Sequence, residues 1–142
     1  MFDALVADSA RVGQKTRVKF HDLVPDEMLG ALYERSTVQL VPQAEGVGSG
    51  AFPSKLPNLL KAGVPVFAIS DVDSELGSIL RQSRIGMVAH NWDAAYLVGE
   101  ITNFLDTLAG MSRQDCRNLT REYVDRNFCV ENLVHSIVKK TD

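Results

Sequence analysis

The stretch Thr37-Val38-Gln39-Leu40-Val41, Pro42 to Phe52, Ser54 to Ala62, Val66-Phe67-Ala68-Ile69 decides the fold. It reads as strand, glycine loop, short helix, strand. The opening run is apolar and short enough for a buried strand. The loop carries Glu45-Gly46-Val47-Gly48-Ser49-Gly50, whose glycines permit positive φ and a close approach of backbone N–H groups to a ligand. Leu56, Leu59 and Leu60 then fall on one side of a helix that Gly63 stops and Pro65 keeps from continuing.

The start of that helix carries the first hint of chemistry. With Ser54 as N-cap, Pro57 falls among the first three helical positions, where a missing N–H breaks no helical hydrogen bond. The N–H groups of Lys55 and Leu56, the Ser54 hydroxyl and the Lys55 ammonium are then expected to converge on one oxyanion, with phosphate the natural candidate. The same residues serve equally as an ordinary capped helix with a solvated lysine.

Working outward, Phe2, Leu5, Val6 and Ser9 have helical spacing and predict an amphipathic helix over 2–12. Arg17-Val18-Lys19-Phe20 alternates like a strand. Pro25-Asp26-Glu27 opens a helix, with Met28, Leu29, Leu32 and Tyr33 as its expected buried face. Beyond Ile69, the polar loop Ser70-Asp71-Val72-Asp73-Ser74-Glu75 closes with a cap and a first-turn acid and leads to a helix faced by Leu76, Ile79 and Leu80. Ile85 to Ala89 is a further strand, and Asp93 caps a helix with the stripe Leu97, Ile101, Phe104, Leu105, Leu108. Ser112-Arg113-Gln114-Asp115 resembles a capping box, followed by Cys116, Leu119 and Tyr123 on one side; a last helix spans 130–140.

Strands alternating with helices predict one α/β domain over residues 1–142, a Rossmann-type parallel sheet of about four strands with flanking helices. Ligands of such sheets gather at the carboxyl ends of the strands, here His21-Asp22, the glycine loop, Ser70-Asp71 and His90-Asn91.

Composition narrows the classes. The 142 residues are 45% hydrophobic and 23% charged, as in ordinary globular domains, and the net charge of −3 gives no reason to expect nucleic acid or an anionic membrane surface. No apolar run approaches the ~20 residues of a membrane span, and no signal peptide is visible. Cys116 and Cys129 lack metal-ligand spacing and read as reduced, which suits a cytoplasmic location. His21, His90 and His135 have no companion ligands, so no metal site is expected. His90-Asn91-Trp92 either borders a ligand or uses its aromatic to anchor a turn, the commoner role.

The order of these pieces resembles the nucleotide-sugar-binding domain of GT-B-fold glycosyltransferases of the group-1 type. The resemblance is carried by Val18-Lys19-Phe20, Leu29 to Tyr33, Val38 to Pro42, Phe52-Pro53-Ser54-Lys55-Leu56, Ala62-Gly63-Val64-Pro65-Val66, Glu75-Leu76, Gly86-Met87-Val88 and the segment Arg117 to Phe128. The sequence "VPQ" followed by "PSKL" is most similar to the subgroup that includes colanic-acid-type transferases of polysaccharide biosynthesis. The resemblance implies a nucleotide-diphosphate sugar as donor, no cofactor and no metal. It implies that Gly48, Gly50, Ser54 and Lys55 hold the diphosphate, that Asn58 stands where relatives contact the ribose with a glutamate, and that Glu45 corresponds to an acid near the donor sugar. It names no catalytic residue.

The departures from that family shape the rest of the expectation. An N-terminal acceptor domain and two strands before Val18 have no counterpart here, so the chain reads as a truncated donor-binding domain, inactive alone. The alternatives are a non-catalytic interaction module retaining the fold, and an unrelated phosphate-binding α/β domain. The missing strands predict that the Val18 strand moves beside Val38, or that a second copy pairs with the exposed edge as a homodimer. Strands in sequence order put the intervening helices on one face, leaving the first and the C-terminal helices to cover the other.

Overall fold

The computed structural model describes residues 21–47 and 52–128. In chain order these form α1 (Asp26–Arg35), β1 (Gln39–Pro42), α2 (Leu56–Lys61), β2 (Val66–Ile69), α3 (Glu75–Ser83), β3 (Gly86–Ala89), α4 (Ala94–Leu108) and α5 (Arg113–Asn127). The helices expected over 2–12 and 130–140, the Arg17–Phe20 strand, Gly48, Gly50 and Cys129 lie outside the described residues.

Three strands make a parallel sheet in the order β1-β2-β3, so the chain is α/β with flanking helices, compatible with a Rossmann-like arrangement. The register aligns Leu40, Phe67 and Met87 in one row and Val41, Ala68 and Val88 in the next. Because side chains alternate across a strand, these rows face opposite sides.

The Val41 side carries most of the core. Leu56, Leu59 and Leu60 of α2 and Leu76, Ile79 and Leu80 of α3 pack with Val64, Val66, Ala68 and Ile85. The crossover helices α2 and α3 therefore share one face, as right-handed connections require. The opposite face is covered by α4: Phe104 packs with Phe67 and Ala89, their two rings 6.1 Å apart, and half-buried Leu97, Ile101 and Leu108 surround them.

Three expectations need correction. Helix α5 does not join α4 but returns to the α2–α3 face, because Cys116 and Thr120 are buried there and the Thr120 hydroxyl donates to the Leu60 carbonyl at 3.0 Å. Leu119 is consequently exposed, although its spacing from Cys116 suggested the apolar side. No residue of α1 is buried: Leu29 and Tyr33 are half-buried, while Met28 and Leu32 are exposed.

Tyr33 packs α1 against the α2–α3 core, and a set of polar contacts fastens it further. Arg117 pairs with Glu34, and Arg113 donates to the Ser36 carbonyl after the helix and to the Gly63 carbonyl after α2. Arg117 Nε reaches the Ala62 carbonyl at 3.3 Å. Two guanidiniums thus sit at the carbonyl end of α2, where unpaired C=O groups and the helix dipole favour positive charge. Gly63 has φ 66°, and a Cβ there would lie 2.5 Å from Arg117 Cγ, so this position requires glycine both for its backbone and for the approach of α5.

The caps read from the sequence are present where three polar residues start helices. Ser74 accepts from the Gly77 N–H, Asp93 accepts from the Tyr96 N–H, and Ser112 with Asp115 forms a reciprocal capping box. In that box the Ser112 hydroxyl, followed by its backbone N–H, holds the Asp115 carboxyl below its ordinary pKa.

Candidate functional site

The carboxyl ends of the strands are tied together by side chains. Ser70, fully buried after β2, donates its hydroxyl to Gln43 Oε1 at 2.5 Å. The indole N–H of Trp92 donates to the Gln43 carbonyl at 3.0 Å, which makes Trp92 the turn anchor of the two roles open to it. His90 Nδ1 lies 2.8 Å from the Ser70 carbonyl; a carbonyl only accepts, so Nδ1 carries the proton. The Gly46 N–H donates to Asp71 Oδ1 at 3.2 Å, and Ser74 caps α3 three residues on, so the Asp71–Ser74 segment works as a loop clasp and helix cap. The loops after β1, β2 and β3 are thereby held as one rim.

Beside this rim, at the end of β1, is a hollow of about 360 Å³ lined by Pro42, Gln43, Phe52, Pro53, Ser54 and Lys55. A second hollow of about 600 Å³ lies between α1, α2 and α5, with Leu29, Tyr33, Glu34, Asn58, Lys61 and Arg117 in its wall. The structure therefore brings Ser54 and Lys55 together in one hollow and puts Asn58, one helical turn along α2, in the other. Glu45 is exposed in the turn that Asp71 clasps and does not line either hollow.

The start of α2 differs in detail from the sequence expectation. Lys55, with φ −76° and ψ −18°, is the N-cap, and no side chain caps the helix, so Ser54 is not the cap. The reason is local: the Leu56 N–H donates to the Pro53 carbonyl at 2.9 Å, closing a turn across Pro53–Leu56 before the first helical bond from Leu59 N–H to the Lys55 carbonyl. Pro57 falls in the first turn, where its missing N–H is harmless. The Lys55 ammonium donates to the Leu40 carbonyl at 3.1 Å. Of the four donors expected to converge on an anion, the Leu56 amide and the Lys55 amine are engaged within the protein.

The buried thiol of Cys116 offers no nucleophile: burial pushes its pKa up, outweighing the opposing effect of Arg113. Among the described residues no group of three or more His, Cys, Asp or Glu side chains is placed to hold a metal ion, and no helix is long and apolar enough to cross a membrane.

Sequence reading put Ser70 and His90 at the strand ends but missed Gln43, which ties the rim through its side chain and its carbonyl. The available signal was positional: Gln43, Ser70 and His90 are the polar residues following the three strands, where side chains from separate loops meet. No family model matches the chain, and comparison with curated proteins and with solved structures gives no match.

Proposed function

We propose that this chain is the donor-binding part of a glycosyltransferase that moves a hexose-type sugar from a nucleotide-diphosphate sugar to a glycan or lipid-linked acceptor, and that it does not catalyse transfer alone. The observation that carries the reading is the hollow at the end of β1 containing Ser54, Lys55 and Phe52. In this reading the diphosphate lies against Ser54 and Lys55, and the nucleoside continues along α2 toward Asn58 and the second hollow. Ser54 and Asn58 are four residues apart, and a helical turn rises about 5.4 Å, a span that suits the step from diphosphate to ribose. The Lys55 amine exchanges the Leu40 carbonyl for phosphate on binding, gaining a charge-assisted contact. Asn58 offers its amide to the ribose hydroxyls, Glu45 approaches the donor sugar, and Gly48 and Gly50 supply backbone N–H groups. Group transfer needs both substrates oriented together, and the acceptor side belongs to a separate domain or chain.

Calorimetric titration of the full chain with uridine and guanosine diphosphates tests this. One of them is expected to bind at millimolar concentration or tighter, with affinity reduced at least about tenfold in Lys55→Ala, the scale of one charge-assisted hydrogen bond. No heat with either nucleotide at millimolar concentration overturns the reading. A second reading, a non-catalytic module that keeps the fold for interaction, draws support from the engagement of the Leu56 amide and the Lys55 amine inside the protein. It expects that null titration.

A further inference from the structure

Among the described residues Phe67 and Phe104 are buried and Phe128 is half-buried, while Phe52 keeps 38% of its surface in solvent and joins neither apolar cluster. One exposed phenylalanine is ordinary on a protein surface. This one stands with Pro42 and Pro53 in the wall of the hollow at the end of β1, which Ser54 and Lys55 also line. The hollow thus joins an apolar wall to a polar, positively charged one. The fold itself holds that wall in place. The Gln43 N–H donates to the Ile69 carbonyl at 2.8 Å, and the Gln43 carbonyl accepts from Trp92 at 3.0 Å. On the other side of the loop the Pro53 carbonyl accepts from the Leu56 N–H at 2.9 Å. The proline rings fix φ at Pro42 and Pro53. A wall set in advance loses less of the binding free energy to ordering.

We propose that the Phe52 ring is the platform on which the donor sugar lies, with the diphosphate beside it at Ser54 and Lys55. The inference rests on the donor-site reading and extends it from the diphosphate to the sugar. A pyranose turns C–H groups outward on the faces of its ring and keeps its hydroxyls at the rim. Those weakly positive C–H groups suit the negative face of an aromatic ring, and the prolines continue the apolar surface. Connectivity favours the sugar over the nucleobase. In a nucleotide-diphosphate sugar the hexose is bonded directly to one phosphate, whereas the base is separated from that phosphate by the other phosphate and the ribose. Phe52 is two residues from Ser54, a backbone reach of at most about 7 Å, so a phosphate held at Ser54 leaves its attached sugar within range of the ring. The base follows the ribose toward Asn58 in the other hollow.

Calorimetric titration of the full chain provides the test, with two ligand pairs: uridine diphosphate and its glucose ester, guanosine diphosphate and its mannose ester. Phe52→Ala is expected to weaken the nucleotide sugar about fivefold and to leave the nucleoside diphosphate unchanged, while Phe52→Tyr, which keeps the ring, binds both as wild type does. Phe52→Leu, apolar but without a ring face, gives the same split as alanine and takes its place should the alanine variant fail to fold. Equal weakening of both ligands overturns the proposal, because it puts the base rather than the sugar on Phe52. An alanine or leucine variant that binds both ligands like wild type also overturns it. In either case the nucleoside diphosphate still binds wild type and the donor-site reading stands. Wild type that binds neither ligand of either pair overturns the donor-site reading and this inference with it.

Discussion

The two faces of the sheet are built to different standards. On the Val41–Ala68 side, α2, α3 and α5 enclose a continuous apolar core, and Thr120, Arg113 and Arg117 stitch α5 to the end of α2. On the Leu40–Phe67 side, α4 covers Phe67 and Ala89 and leaves Leu40 more than half exposed at the edge. The first face holds the fold together. The hollow with Lys55 lies at the end of β1. One face is closed around its core, while the edge of the other stays partly exposed.

Substitutions of equal chemistry on the two faces sharpen this contrast. Leu60→Ala, at a fully buried site against α5, is expected to cost about 2–5 kcal/mol through lost transfer energy and an unfilled cavity. Chemical denaturation reads it directly. Next in size, Gly63→Ala forces a left-handed backbone on an alanine and drives its Cβ into Arg117, so a loss of about 1–3 kcal/mol is expected by the same measurement. If the alanine variant retained wild-type stability, α5 would not be packed as closely as described.

A smaller effect has a pH signature. The Asp115 carboxyl is lowered by Ser112, so its contribution is fully present above the ordinary carboxylate value and lost as pH falls through the depressed one. Ser112→Ala should therefore lower the denaturation midpoint at pH 7 and lose less at pH 3, after Asp115 begins to protonate. An equal deficit at both values would remove the charge from the explanation of the cap. The smallest change is expected at the edge: Leu40→Ala, already half solvated, should cost under about 1 kcal/mol. A loss approaching that of Leu60→Ala would break the contrast between the faces.

Most of the architecture was legible because hydrophobic period and caps agreed. Val66–Ile69 is a strand as read, β1 and β3 differ by a residue or two at their ends, and Ser74, Asp93 and Ser112 cap the helices they precede. Tertiary choices were not legible. Spacing placed Leu119 with Cys116, but the buried neighbour is Thr120, because its hydroxyl has the Leu60 carbonyl to meet. Met28 and Leu32 looked like core residues by period, yet α1 meets the core through Tyr33 and is held further at Glu34 and Ser36, contacts across long sequence separations that no local pattern carries. At the candidate site, sequence located Ser54, Lys55 and Pro57 at the helix start. It did not reveal that the Pro53 carbonyl closes a turn there, nor that the lysine reaches a strand edge. Both depend on backbone groups, which every residue has and no letter advertises.

The most direct test of the account is where a nucleotide diphosphate touches the protein, read from backbone amide shifts of the labelled full chain during titration. The account predicts that the largest changes fall at Gln43, Phe52, Ser54 and Lys55 and extend along α2 to Asn58. Changes confined to other surfaces, or none at millimolar nucleotide, would contradict it.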